Sequence, residues 1–173
     1  MMPSIPLRLA TMARALEEVI LPAIAPGNDL AREQAQLLIA HLGLIGVHWQ
    51  RAHLYDALVL DAVETLAREL LAAADGGPQT MRASVALAEC VQADTASNSD
   101  AARRRADLAA AIDTLVSACA SDGSAAFGET LFKAIVAHGS VQARRDRVWF
   151  AGSGMDPETA TLGSIDTMLL SRA

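Results

Sequence analysis

Hydrophobic residues recur at spacings of three and four along most of the chain, which is the period of an α-helix. In the first such stretch, Leu9, Met12 and Leu16 fall on one face, and a helix is predicted from about Leu7 to Ile24. No run of β-branched residues alternates with polar ones in the way that a half-buried strand requires. The pattern therefore predicts helices throughout.

The longest apolar-periodic run extends from Asn28 to Ala74 and predicts one bent helix or two helices in tandem. Its apolar face is wide, which is typical of a helix inside a bundle. Unbroken, it would span roughly 65 Å, which is long for a compact domain of this size. A break is therefore expected, either at Gly43 and Gly46 or in the polar stretch Gln50–His53.

Three further helices and a short last one follow, separated by turn signals such as Asp75-Gly76-Gly77-Pro78. The residues between Ala93 and Asp100 are small and polar and predict a loop. Short connections favour antiparallel neighbours, so the predicted fold is an all-α, up-and-down antiparallel bundle of five to seven helices, in a single domain over residues 1–173. The later helices are predicted at Gln79–Val91, Ala101–Ala120, Ala125 to about Phe150, and after Asp156-Pro157-Glu158.

Composition narrows the class of protein. The net charge is −6 with a single lysine, Lys133, so phosphate polymers would be repelled and no nucleic-acid partner is predicted. No window is apolar enough to predict a membrane helix, and the N-terminus lacks the apolar core of a signal peptide. Two cysteines, Cys90 and Cys119, do not make a disulfide framework, so a cytoplasmic location is expected.

The central run carries His41 and His48, which are seven residues apart and share a helical face. They are separated by about 10 Å along the axis, too far to ligate one metal ion. The Glu-x-x-His pairs of di-iron bundles do not occur in the sequence. No metal and no cofactor are predicted. Both histidines are expected to be partly buried and hydrogen-bonded, with a ligand-binding role as the alternative.

A denser polar patch follows, in which His48, Arg51 and Tyr55 lie at positions i, i+3 and i+7. Such residues can line one side of a pocket, and an arginine there would bind an acidic group. The predicted ligand-binding residues are His41, His48, Arg51 and Tyr55. The alternative is an ordinary solvated stretch at a helix kink.

Two groups of arginines would meet if the two longest late helices form a hairpin, namely Arg103–Arg105 and the set Arg144, Arg145 and Arg147. They would then make a basic patch for phosphate or an acidic partner, or pair with this protein's many carboxylates, which is the favoured interpretation. No nucleophile motif occurs, and the sequence at 152–156 has neither the preceding strand nor the following Lys-Ser/Thr of a phosphate loop.

Residues 15–42, which contain ALEEVILPAI and NDLAREQAQLLIAHL, resemble the N-terminal part of small all-helical bacterial proteins without an assigned function. The resemblance implies the all-α fold and carries no catalytic motif. The Ala- and Arg-rich, Lys-poor composition is also typical of a GC-rich bacterial genome.

The hydrophobic content of 52% and the wide apolar face of the central run predict a homodimer. The preferred hypothesis is a non-enzymatic helical interaction or accessory protein that acts as a homodimer or with a protein partner. The alternative is a bundle that binds a small acidic or acyl ligand in a pocket near His41, His48, Arg51 and Tyr55. In that hypothesis the protein is either a binding protein or an enzyme.

Overall fold

A computed structural model describes residues 3–93, 101–153 and 156–170. This part of the chain is helical and has no β-strand, which confirms the predicted all-α helical bundle. Most of the loop predicted between Ala93 and Asp100 lies outside the described residues. The helices are α1 (Ile5–Ala15), which continues through a π-helical turn (Leu16–Ile20) into α2 (Leu21–Ala23), then α3 (Asp29–His48), α4 (Ala52–Ala73), α5 (Pro78–Gln92), α6 (Ala101–Asp122), α7 (Ala125–Phe150) and α8 (Ile165–Leu170).

The chain divides into two compact units, each built from separate stretches of sequence. The hairpin unit contains the residues up to His53 and the segment Arg147–Ile165. The four-helix unit contains Leu54–Asp146 and the residues from Asp166 onward. The prediction of a single domain over residues 1–173 stays a prediction.

The hairpin unit begins with a helical hairpin in which α1 packs on α3. Pro22 lacks a backbone N–H, so the carbonyl four residues before it loses its usual partner. The helix adapts through the π-helical turn, in which the N–H of Leu21 bonds the carbonyl of Leu16. Gly27 turns the chain with φ of 89°, and the side chain of Asn28 accepts a hydrogen bond from the N–H of Ala31. Gly27 and Asn28 thus mark the turn before α3 and the start of that helix.

The central run is two helices, α3 and α4, and the break falls at Trp49–Arg51. There the N–H of Arg51 bonds the carbonyl of His48, which tightens the chain into a turn. Of the two predicted break points, the polar stretch that begins at Gln50 is confirmed and the glycine pair is wrong. Helix α3 passes through Gly43 and Gly46 because flanking apolar residues sustain its pattern.

The four helices α4 to α7 run up and down within their unit. Tyr55, near the start of α4, contacts Asp146, near the end of α7, so these two helices are antiparallel. Asp122, at the end of α6, contacts Gln79 and Thr80 at the start of α5, so that pair is antiparallel as well. The contacts agree with the up-and-down order that short connections predict.

The two short loops at one end of this unit are clasped together. Gly76, with φ of 153°, lies against Gly123 so closely that an added Cβ would stand 2.7 Å from the Cα of Gly123. The backbone of each loop bonds the other, from Gly77 to Asp122 at 2.7 Å and from Ser124 to Asp75 at 3.0 Å. Glycine is therefore required at Gly76 by both conformation and space.

The core of the four-helix unit is continuous and draws on all four helices. The fully buried side chains include Leu70, Leu87, Leu108 and Leu115. Interlocking leucines from four helices close the interior to water, which is the main stabilising contribution to the unit. The other members of this core are Val63, Leu66, Ala67, Ala83, Ile112, Phe127, Leu131 and Ala134.

Candidate functional site

The described surface of α3 carries an apolar stripe. Leu38 and Ile45 are 53% and 49% exposed, and His41 lies between them at the i+3 position. Ala35 is the one buried residue of this fully described helix. The expectation that the wide apolar face places α3 inside a bundle is therefore wrong. We call Leu38, His41 and Ile45 the α3 stripe.

His41 is exposed at the centre of the α3 stripe. The expectation that it would be partly buried and hydrogen-bonded is wrong, because it lies between Leu38 and Ile45, which are themselves about half exposed. An imidazole flanked by two large aliphatic side chains offers both a donor and an acceptor in an otherwise apolar surface. This composition suits a protein contact more than a metal site.

His48 is half-buried, as expected, and is held by aromatic neighbours from the end of α7. Its ring stacks on Trp149 with centroids 4.3 Å apart and meets the edge of Phe150 at 5.9 Å. Its Nε2 lies 2.8 Å from the carbonyl oxygen of Trp149, so Nε2–H must be the donor. These contacts connect the end of α3 to residues 149–150 within the hairpin unit.

Arg147 fixes the chain just before those aromatic residues. Its guanidinium donates to both carboxylate oxygens of Asp156, at 2.8 and 3.1 Å, and to Glu158 at 2.7 Å. The hydrogen bonds from Arg147, with that from the Glu158 N–H, lower the pKa of Asp156 to about 2. Paired charges of this kind hold Asp156 and Glu158 against the end of α7. Sequence reasoning missed this pairing because it considered Asp156 only as the residue that precedes a last helix.

Arg51 lies at the helix break and is half-buried. Its Nη1 donates to the carbonyl of Val47 at 3.3 Å, one turn back along α3. The guanidinium thus helps to terminate the helix by bonding one of its last carbonyls, a frequent role for arginine at that end. Its predicted role in ligand binding stays a prediction.

Tyr55 belongs to the four-helix unit, where it joins α4 to α7. Its hydroxyl donates to Asp146, and Gln142 donates to that hydroxyl at 3.1 Å and to Asp146 at 2.8 Å. Burial, followed by the bond to Asp146, raises the pKa of the Tyr55 hydroxyl well above its ordinary value. Tyr55 is therefore neutral and committed to a structural bond. The Oε1 atom of Gln142 is buried here without a partner among the described residues.

Two arginines of α6, Arg104 and Arg105, pair with carboxylates, as the favoured interpretation predicted. Arg104 contacts Glu64 at 2.7 Å and also bonds the carbonyls of Val91 and Ala93. Arg105 lies 3.9 Å from Asp56. Burial raises the pKa of Glu64, but hydrogen bonds from Arg104 and Arg68 outweigh that effect and leave it lowered. These arginines connect helices rather than present a free basic patch.

The described ranges, 3–93, 101–153 and 156–170, contain no group of three or more His, Cys, Asp or Glu side chains arranged to hold a metal ion. In the same part of the chain, no helix combines the length and the apolar character that a bilayer crossing requires. Cys90 and Cys119 are both free thiols.

Comparisons of the chain with models of protein families, with curated proteins and with solved structures gave no match. The resemblance of residues 15–42 to small bacterial helical proteins therefore stays a prediction.

Proposed function

We propose that this protein is a helical interaction module that acts as a homodimer, with the α3 stripe at the contact between the two copies. The observation that supports the proposal is the exposure of Leu38 and Ile45 on a helix whose one buried residue is Ala35. Contiguous apolar surface of this kind on a helical protein is typical of a protein contact.

The spacing of the stripe suits a second helix. Gln34, Leu38, His41 and Ile45 follow one another at intervals of four, three and four, which is the a/d pattern of a helix–helix seam. In a two-fold dimer each stripe meets its own copy. The aliphatic positions then provide the burial, while Gln34 and His41 restrict the register, since a polar residue at a seam position must find a partner.

The expected strength of such a dimer is moderate. Removing the exposed half of a leucine or isoleucine side chain from water contributes about 1 kcal/mol. Leu30, which is exposed one turn before Gln34, adds a third aliphatic residue to each copy. The total from two copies is on the order of 6 kcal/mol before the costs of association, so additional contacts are needed to reach a micromolar Kd. The hairpin supplies candidates in Met12 and Val19 of its first helical segment, which are also exposed.

Sedimentation velocity over a range from about 5 to 100 µM tests the proposal. We expect a monomer–dimer equilibrium that Leu38→Glu and Ile45→Glu shift toward monomer, because a charge on the seam cannot be buried unpaired. Val47→Glu is the matched control, since Val47 is a similarly exposed aliphatic residue on the opposite side of α3. A monomer at all concentrations would overturn the homodimer, as would an equal effect of all three variants.

The alternative hypothesis, a ligand pocket at His41, His48, Arg51 and Tyr55, has weaker support. The Nε2 atom of His48 is committed to Trp149, and the hydroxyl of Tyr55 is committed to Asp146. A ligand would have to replace these bonds. The observations favour a structural use of these two side chains.

A further inference from the structure

The four-helix unit has a groove of about 660 Å³ between the antiparallel helices α4 and α7. Its volume is in the range of small-molecule sites. The floor is apolar and built from small residues, with Ala62 on one helix and Ala134 and Ala137 on the other, around the buried Leu66. Because alanines leave the space between the two helices unfilled, the groove is a consequence of sequence.

Two opposite charges border this floor. Arg145 and His138 are seven residues apart on α7, so they face the groove together. Tyr55 of α4 contacts both Gln142 and Asp146 of α7, which fixes how the two antiparallel helices are aligned. Six residues further along α4 and, from the midpoint of those two contacts, six residues back along α7, Asp61 is level with His138. Among the described residues, neither Arg145 nor Asp61 forms an ion pair. Both charges therefore remain available to a ligand.

Lys133, the other cation of the groove, is already used. Its ammonium group pairs with Glu129, four residues earlier on α7. Glu69 lines the same groove two turns beyond Asp61. The cationic group that offers unmatched hydrogen-bond donors is thus Arg145, and its planar guanidinium suits a carboxylate.

A ligand bearing only a carboxylate would bind Arg145 but would also face the negative charge of Asp61. An ammonium group next to that carboxylate changes the repulsion into an attraction. An apolar substituent on the same carbon would lie over Ala134, Ala137 and Leu66. We propose that the groove between α4 and α7 binds a free α-amino acid with an aliphatic side chain, its carboxylate on Arg145 and its ammonium on Asp61.

His138 supports this arrangement as a neutral neighbour of the carboxylate. Burial, and then the charge of Arg145, lower its pKa below the ordinary value. A neutral imidazole can donate one further hydrogen bond to the bound carboxylate without adding a second full charge. This proposal does not depend on the α3 stripe, which belongs to the hairpin unit.

Isothermal titration calorimetry with three matched probes tests the proposal on the full chain. Leucine carries both charges and the side chain, 4-methylpentanoate lacks the ammonium, and 3-methylbutylamine lacks the carboxylate. We expect leucine to bind about tenfold or more tightly than either single-charge probe. Absence of leucine binding, or equal binding of 4-methylpentanoate, would overturn the proposal.

Variants locate the site. Arg145→Ala and Asp61→Asn should each weaken leucine binding about tenfold or more, whereas Arg144→Ala should not, because Arg144 is exposed and does not line the groove. Ala137→Trp should abolish binding by filling the groove, and it threatens the fold little since Ala137 is exposed. Thermal melting confirms that each variant is folded. Equal losses for Arg144→Ala and Arg145→Ala would show non-specific binding and reject the site.

Discussion

The hairpin unit and the four-helix unit have the same apolar periodicity and bury it to different extents. In the four-helix unit, Leu70, Leu87, Leu108 and Leu115 are inaccessible to water. In the hairpin unit, the fully described α1 has no buried residue and α3 has one, Ala35. Two helices that pack on each other can cover only one side of each, whereas four helices enclose an interior. An apolar stripe on a hairpin therefore indicates a partner surface as readily as a core.

The means of stabilisation differ in the same way. The four-helix unit depends on apolar burial, with charged pairs such as Glu64–Arg104 at its edge. The hairpin unit depends more on specific contacts near the end of α7, namely the stacking of His48 on Trp149 and the pairing of Arg147 with Asp156. Apolar burial does not depend on the orientation of the side chains, whereas ring stacking and ion pairs require defined distances and angles. The hairpin is thus held in a defined conformation without a large core of its own.

The strongest test of this comparison makes the same change, leucine to alanine, once in each unit. Leu70→Ala should lower the free energy of unfolding by about 2–5 kcal/mol, because it leaves a cavity at a site with 0% exposure. Leu38→Ala should lower it by about 0.5 kcal/mol or less in the monomer, since Leu38 is 53% exposed. Urea unfolding measured at low protein concentration, where the dimer is dissociated, gives both values.

The order of the two effects should reverse when the Kd of self-association is measured for the same variants. Leu38→Ala should weaken the dimer, whereas Leu70→Ala should leave the Kd unchanged under conditions where it is folded. If Leu38→Ala destabilised the monomer as much as Leu70→Ala, the α3 stripe would be core and the distinction between the two units would fail.

A second test concerns the clasp that closes the four-helix unit. The carboxylate of Asp122 accepts from the N–H of Gln79 at 2.7 Å and from the N–H and hydroxyl of Thr80 at 2.9 and 2.7 Å. Asp122→Ala leaves these donors at the start of α5 without their partner, and we expect the melting temperature to fall by about 5–10 °C. Asp113→Ala, an exposed acidic residue in the same helix, should change it by about 1 °C at most. Similar melting temperatures for the two variants would contradict a stabilising clasp.

Helix positions were predictable from sequence because turn chemistry marks them. Asn28, the glycine pair before Pro78, and Gly123 each end or begin a helix in the structure. The prediction that ends the first late helix at Val91 differs from the structure by one residue, and that for Ala125 to Phe150 agrees with it. Local signals of this kind act through the backbone of a few residues, so they do not depend on tertiary contacts.

The buried faces were less predictable. On α5, the apolar residues Met81 and Val85 are 45% and 57% exposed, while Thr80 and Leu87 are buried. The physical reason is the bond from Thr80 to Asp122, which turns Thr80 inward and rotates the apolar pair outward. That contact joins residues 42 positions apart, and no local pattern reports it. Similarly, the apolar residues Val136 and Val141 of α7 are exposed.

The predicted ligand site, which grouped His48 with Tyr55, is also changed by contacts between residues far apart in the sequence. His48 and Tyr55 are at helical spacing in the sequence, but the break at Trp49–Arg51 removes that spacing. Each residue then bonds a partner about a hundred positions away, Trp149 for His48 and Asp146 for Tyr55. The α4–α7 groove is not predictable from the sequence, because it requires small residues to face one another on two helices, and this arrangement exists only once the helices are paired.

The smallest expected effect is a change in melting temperature, and it is tested with one histidine from each unit. Because burial and the nearby Arg145 lower the pKa of His138, the unfolded chain takes up a proton at a higher pH than the folded chain does. Stability should therefore fall as the pH drops below 6.5 toward the folded-state pKa, and His138→Gln should make that fall shallower, by about 1–2 °C of melting temperature after allowance for screening by solvent. Asp61, Glu69 and Lys133 line the same groove and are unchanged in the variant, so the difference in melting temperature is due to the imidazole of His138.

His41→Gln, on the exposed stripe of the hairpin unit, is the control. At low protein concentration its melting profile should follow that of the unaltered protein. A larger change for His41→Gln than for His138→Gln would mean that the hairpin buries its histidine on folding, contrary to the difference between the units.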